Sequence, residues 1–377
     1  MMKDNGTYCP LIFNEIYADS SGEYRLCCHA RTTTVSRKYK SQTHKPFEYF
    51  NSPEMEEKRN AVLCGEKLPE CIKCYTMEES TGTSYRTKAL KKLKNKMPPL
   101  SVDKVTLKLR INGTFCNLSC YMCIPYNSST RRNEMNKIYP EGWDFFSESD
   151  YVSVKSKEWY LIVNDIIDNI ERVDTIHITG GEPLQLPKHW EMLDLISEEH
   201  AKNIELQYDT NFTELRYKNH SVWDIENKFK RIHWGISCDH YGKKLEYIRY
   251  PIDIKKFEAN LRETKDFQTR NLNCTTSLLN VEDLISIKDY YKQNFNIEVK
   301  FTSVVMTPKI LSIRNLPEEK KQQLINRYEH IPEFAYVLSE LKKEGNSTDL
   351  KAGIEYMKKL SKQRNMNHAE LWPQYDN

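Results

Sequence analysis

No stretch of the 377 residues approaches the roughly 18 consecutive apolar side chains that cross a bilayer, and the opening MMKDNGTYCPLIF lacks the apolar core of a secretory signal. The expectation is a cytoplasmic protein with no membrane partner. Neither sign of charge is in surplus: 56 Lys and Arg stand against 53 Asp and Glu, and the resulting +3 makes no case for nucleic acid. Internal repeats and low-complexity tracts are missing too, which leaves a globular chain long enough for a sizeable core and two domains. What the chain does have is cysteine. Eleven thiols in a reducing compartment point to metal or redox chemistry rather than disulfides.

Three of them, Cys116, Cys120 and Cys123, fall in a C-x3-C-x2-C spacing directly after the alternating run Val105–Ile111, which predicts a strand. Soft thiolates this close together suit zinc or an iron–sulfur cluster. A structural zinc site takes four ligands and opens with C-x2-C pairs; this loop offers three thiols and no adjacent His. A later predicted strand ends in Gly180-Gly181-Glu182-Pro183. With the cysteine loop, this turn resembles the radical S-adenosylmethionine (radical SAM) superfamily. The resemblance implies a 4Fe–4S cluster on the three cysteines, its open iron binding S-adenosylmethionine (SAM), and a flavodoxin- or ferredoxin-type electron donor. Met122 departs from it, because many members carry an aromatic residue before the third cysteine, near the adenine; a polarizable Met is able to fill that place, so the implied contact is altered rather than excluded.

Upstream, Cys9 opens a segment expected to form two strands joined by a turn at Asp19–Gly22, ending at Cys27 and Cys28. A helix is predicted from Pro53, with Ser52 as N-cap and Gly65 as its stop. Cys71 and Cys74 follow as a C-x2-C knuckle. Cys9, Cys27, Cys71 and Cys74 are four soft ligands that fit zinc about as well as iron and sulfur. Their C-x12-G-x4-C…C-x2-C pattern resembles the SPASM/twitch auxiliary-cluster domains of radical SAM enzymes, here preceding the barrel and marked also by Glu78–Ser84. That resemblance implies a second 4Fe–4S cluster. Cys28 and Cys64 are read as structural, although either is able to replace a chosen ligand. The basic run 86–96 reads as a solvated helix before a boundary at Pro98-Pro99.

Strand-like runs at 105–111, 173–179, 204–210, 232–238, 272–278 and 299–305 alternate with helical ones, giving a parallel α/β sheet or barrel. The family implies a partial, open β/α barrel over residues 99–316, after an auxiliary-cluster domain at 1–98 and before a helical extension at 317–377. In that extension 347–364 reads as an amphipathic, solvated helix, with Trp372 and Pro373 docking the tail. The spacers 124–172 and 211–231 read as insertions; Trp143, Phe145, Phe146 and Trp159 belong to a lid or to the core. Several strands alternate apolar with polar residues, which predicts an apolar face under helices and a polar face toward an open lumen. Lys108, Arg110, His177 and Gln207 are the substrate candidates on that face, Arg110 foremost because a guanidinium grips a carboxylate or phosphate bidentately.

By resemblance, Gly180, Gly181, Glu182 and Pro183 bind the SAM amine, Thr210-Asn211 lines the SAM site, and Ser237 and Arg249 hold its carboxylate or ribose near Asp239. Cys238 and Cys274 are expected to be packed. The implied activity is oxidation or cross-linking of an unactivated C–H position in a peptide or protein. The alternatives are modification of a small polar metabolite such as an aminocyclitol, and a noncatalytic iron–sulfur or zinc protein that binds a partner.

Overall fold

The computed structural model describes residues 6–30, 38–92, 103–143 and 154–376. Pro98-Pro99, residues 93–96 of the basic run, Phe145 and Phe146 lie outside them. The strands are β1 (Glu15–Ala18), β2 (Tyr24–Arg25), β3 (Val105–Leu109), β4 (Val173–Ile178), β5 (Glu205–Thr210), β8 (Arg231–Ser237), β9 (Arg270–Thr276) and β10 (Val299–Val304), with two-residue strands β6 (Arg216–Tyr217) and β7 (His220–Ser221) in the 211–231 spacer. Eight of them form an open sheet in the order β10-β9-β8-β5-β4-β3-β1-β2. Pairs β1–β3, β3–β4, β4–β5, β8–β9 and β9–β10 are parallel, and β1–β2 is antiparallel. The fold class is therefore α/β with a mostly parallel, unclosed sheet. Among the described residues no helix is long and apolar enough to cross a membrane.

By packing, the chain divides into two units: Met1–Gly113 with Tyr151–Tyr208 and His220–His233, and Thr114–Asp150 with Asp209–Asn219 and Trp234–Asn377. In the first, register aligns Leu107 with Ile176 and Ile176 with Leu206, all 0% exposed, while the next row, Lys108, His177 and Gln207, is only half-buried. The helix Ser156–Asp168 buries Trp159, Ile162, Val163 and Ile166, so Trp159 is core, its Nε1 donating to Asn112 Oδ1 at 2.9 Å. Ser52 caps the helix Pro53–Leu63 by accepting from Met55 N at 3.3 Å, and Gly65, at φ +89°, follows its end.

Two local expectations change. Residues 11–14 form a helical turn rather than the start of a strand, because Pro10 already holds φ −62° at its N-cap and the turn buries Ile12 and Phe13. The strand that does form, β1, lies in the large sheet, pairing Glu15 with Thr106, Ile16 with Leu107 and Tyr17 with Lys108.

In the second unit the helix Ser347–Arg364 is amphipathic as expected, yet its buried face carries Arg364 as well as Tyr356, Met357 and Leu360. Gly353 permits the docking: a Cβ there would lie 2.2 Å from Ile310 O. Trp372 anchors the tail, 1% exposed, with Nε1 donating to Leu279 O at 2.8 Å.

Candidate functional site

The Cys116–Cys123 loop is held by its backbone before any ligand is considered. Ser119 N donates to Tyr250 O at 2.6 Å and Tyr121 N to Ile248 O at 2.7 Å, while Ser129 N closes the loop onto Thr114 O at 2.9 Å. Ser128 then caps the helix Ser129–Ile138, accepting from Arg131 N at 3.2 Å. Cys120 is buried, and Cys116 and Cys123 are half-buried.

Two sulfurs accept hydrogen bonds. Cys116 Sγ accepts from Leu118 N at 3.4 Å and from Asn211 Nδ2 at 3.6 Å; Cys120 Sγ accepts from Arg249 Nη1 at 3.7 Å. Donors aimed at sulfur favour the thiolate and tune a cluster bound to it. Burial pushes the Cys120 thiol up, and Arg249, Arg364 and Arg131 oppose that shift. Arg249 is itself buried, with Nη2 2.8 Å from Asp239 Oδ2; burial alone would lower its pKa, but Asp239 and then Cys120 hold it above the usual guanidinium value. Asp239 is oriented in turn by Thr275 N, which donates to Oδ1 at 2.8 Å. The donor set thus fits an anionic, thiolate-bound group.

Several expected cofactor residues serve the loop directly. Asn211 Nδ2 donates to Asn117 Oδ1 at 2.8 Å, and its Oδ1 accepts from Thr213 Oγ1 at 2.7 Å, so its amide braces the cysteine loop. Arg249 and Asp239 are brought to Cys120, while Ser237 and Met122 are half-buried. Cys238 and Cys274 are packed, at 0% and 1% exposure. Arg131, Glu134 and Arg364 escape the sequence reading; the single signal available there was the three-residue spacing of Arg131 and Glu134 in a helix just after the loop.

In the first unit Gly180 and Gly181 take φ +93° and +56°, and Glu182 caps the following turn, its Oε1 accepting from Leu184 N at 3.2 Å. A Cβ on Gly180 would meet Arg110 Cβ at 3.3 Å, so the Arg110 side chain lies against this turn. Arg110 Nε is buried and has no hydrogen-bond partner among the described residues. Lys108 lies with its Nζ 5.6 Å from the centre of the Tyr85 ring, which stacks on His29 at 4.6 Å. Glu15, from β1 on the same face, is 3% exposed and its Oε1 has no hydrogen-bond partner; burial raises its pKa to about 7, against the pull of Lys108.

The N-terminal cysteines separate into groups. Burial pushes the Cys9 thiol up to about 12, and after the Leu11 backbone the charges bearing on it are Cys71, Cys74 and Arg86. Burial also raises Cys71 to about 12, with Cys74 the largest charge effect added to it, and Cys27 feels Glu15, Cys28 and Cys9. Cys28 instead bonds Lys108 and Tyr85, and Cys64 is exposed. Arg86 is fixed beside these thiols by Glu78, which accepts from its Nε at 3.0 Å, and by Tyr8 O at 2.9 Å. That pairing gives the Glu78–Ser84 stretch a structural account. Among the described residues no three His, Cys, Asp or Glu are gathered closely enough to hold a single metal ion. A 4Fe–4S cube spreads its thiolates over separate irons, so its ligands stand wider apart than those of one ion.

No family profile matches the sequence, and no curated protein matches it. Among solved structures, anSMEcpe with bound AdoMet and the Cp18Cys peptide is 17% identical with a TM-score of 0.38, over 59% of this chain and 61% of that one. Streptococcus suis SuiB bound to its precursor peptide SuiA is 16% identical with a TM-score of 0.37, over 86% and 53%. TYW1 with a lysine-pyruvate adduct is 15% identical with a TM-score of 0.31, over 58% and 70%. The chain spans about three fifths of the length of the anSMEcpe chains it matches.

Proposed function

We propose that the chain is a radical SAM enzyme that oxidises or cross-links an unactivated C–H position, most naturally in a peptide or protein. The observation that carries this reading is the three-thiol loop, whose sulfurs accept N–H donors from Asn211 and Arg249 and which has no fourth thiol in its spacing. A 4Fe–4S cluster bound there would supply the electron for reductive cleavage of SAM to methionine and a 5′-deoxyadenosyl radical, the species that would take a substrate hydrogen. Cys116, Cys120 and Cys123 would hold it; Gly180 and Gly181 present backbone closely enough for the SAM amine, and Ser237 is a candidate for its carboxylate or ribose. Cys9, Cys27, Cys71 and Cys74 are assigned to a second 4Fe–4S cluster. Fully thiolate-ligated, it would accept an electron rather than hold substrate, which suits oxidation. A flavodoxin- or ferredoxin-type protein would deliver the reducing electron.

The half-buried row Lys108, His177 and Gln207, with Arg110 at its end, favours a polar or anionic group on the substrate, so a small polar metabolite is the second reading. The test is anaerobic reconstitution followed by reduction with dithionite in the presence of SAM. Formation of 5′-deoxyadenosine and methionine is expected even without substrate. A reduced, iron-loaded protein that makes none is instead a noncatalytic iron–sulfur protein.

A further inference from the structure

We propose that Arg364, the last residue of the helix Ser347–Arg364, is a positioning residue for the Cys116–Cys123 loop, which makes the C-terminal extension part of the cluster site. The proposal rests on the radical SAM reading above. The Arg364 side chain is 0% exposed. Its Nε donates to Glu134 Oε1 at 2.7 Å and its Nη2 to Glu134 Oε2 at 2.9 Å, a bidentate pair. The same guanidinium donates from Nη1 to Tyr247 O at 3.0 Å and from Nη2 to Ser119 O.

These partners belong to one junction. Ser119 precedes Cys120, and its own N–H and that of Tyr121 are received by Tyr250 O and Ile248 O, the chain just beyond Tyr247. Arg364 therefore grips both sides of the seam that sets the loop's path. The same helix adds a second hold, since Tyr356 Oη donates to Tyr121 O at 3.2 Å. Tyr356, Leu360 and Arg364 follow one another at four-residue spacing on one helix face, and Gly353 lets that face approach Ile310 O. Glu134 is shared: it also pairs with Arg131 and accepts from Ser119 Oγ. Burial would raise its carboxyl, but Arg364 and Arg131 hold it below the usual range, so the pair remains charged. Both residues flanking Cys120 are thus fixed by the C-terminal helix.

The experiment compares full-length wild type with Arg364→Met, Arg364→Lys and Tyr356→Phe after anaerobic reconstitution. It reads iron per chain, the electron paramagnetic resonance (EPR) spectrum of the reduced protein with and without SAM, and kcat and KM for SAM cleavage. Arg364→Met is expected to keep the auxiliary-cluster signal, to alter the signal that SAM perturbs, and to lose about 10- to 100-fold in kcat/KM. Arg364→Lys should recover part of this, since it restores the charge but not the fork. Tyr356→Phe should move the same signal in the same direction by less, and it carries the test if Arg364→Met does not fold. An unaltered SAM-perturbed signal and kcat/KM in Arg364→Met, or in Tyr356→Phe where that variant must stand in, overturns the proposal and leaves the radical SAM reading intact. A wild type with no SAM-perturbed signal removes both together.

Discussion

Arg110 and Glu15 occupy the same polar face of the sheet in opposite electrostatic situations. Arg110 lies against the Gly180 turn with a buried Nε that has no partner among the described residues, a donor left for a ligand. Arg110→Ala is expected to leave substrate-free SAM cleavage intact and to lower product formation by the order of 100-fold through lost orientation. Equal loss of both rates would assign Arg110 to the cofactor. Glu15 is a carboxyl that burial keeps neutral to about pH 7, against an ordinary value of 4.5. Its folded pKa is the higher one, so its contribution is complete below about 4.5 and is lost as pH rises through about 7, on the order of 3 kcal/mol. Glu15→Gln should flatten the pH dependence of the melting temperature in that window; parallel curves for the two proteins would show that Glu15 ionises freely. The cysteine loop and the double glycine stood out in the sequence by their local spacing, whereas Arg249 was expected only by resemblance, as a SAM ligand; its guanidinium lies against Cys120 Sγ and Asp239 Oδ2. Arg364 was not legible, because an Arg at the end of a Lys-rich amphipathic helix carries no mark that its partners are Glu134 and Ser119, more than two hundred residues earlier.

Among the elements, all six expected strands form within two residues of their predicted ends, since each carries its own period of two or its own apolar run. The Asp19–Gly22 turn and the Ser52 cap were equally visible. The parallel pairing of β1 with β3 was not, because nothing local to residues 15–18 names a partner at 106–109. The C-terminal helix offers a test in which two effects oppose each other. Replacing a mid-helix Gly by Ala ordinarily stabilises by up to about 1 kcal/mol. At Gly353 the added Cβ would lie 2.2 Å from a backbone carbonyl that cannot rotate away, and the clash should win. Gly353→Ala is expected to cost about 1 to 3 kcal/mol in denaturant unfolding. A gain in stability would show that the helix is free to lift from Ile310.

For the whole molecule the proposed clusters predict an additive iron count. Wild type should hold about eight irons, four for each 4Fe–4S group. Replacing Cys116, Cys120 and Cys123 together with Ala should leave about four and remove the SAM-perturbed signal, whereas replacing Cys71 and Cys74 should leave about four and keep it. A wild type that saturates at four irons plus one zinc would reassign the N-terminal thiols to zinc. The place of β1 bears on any attempt to study the later part of the chain alone. Arg110 N donates to Ala18 O at 2.9 Å, and Glu15 to Ala18 pair with β3 from Thr106 to Leu109. A fragment starting at residue 99 would expose that flank of β3 as a bare row of backbone donors and acceptors beside fully buried Leu107 and Leu109, a template for intermolecular strand addition. Such a fragment is expected to aggregate at concentrations where the full chain stays dispersed, a difference that light scattering would read.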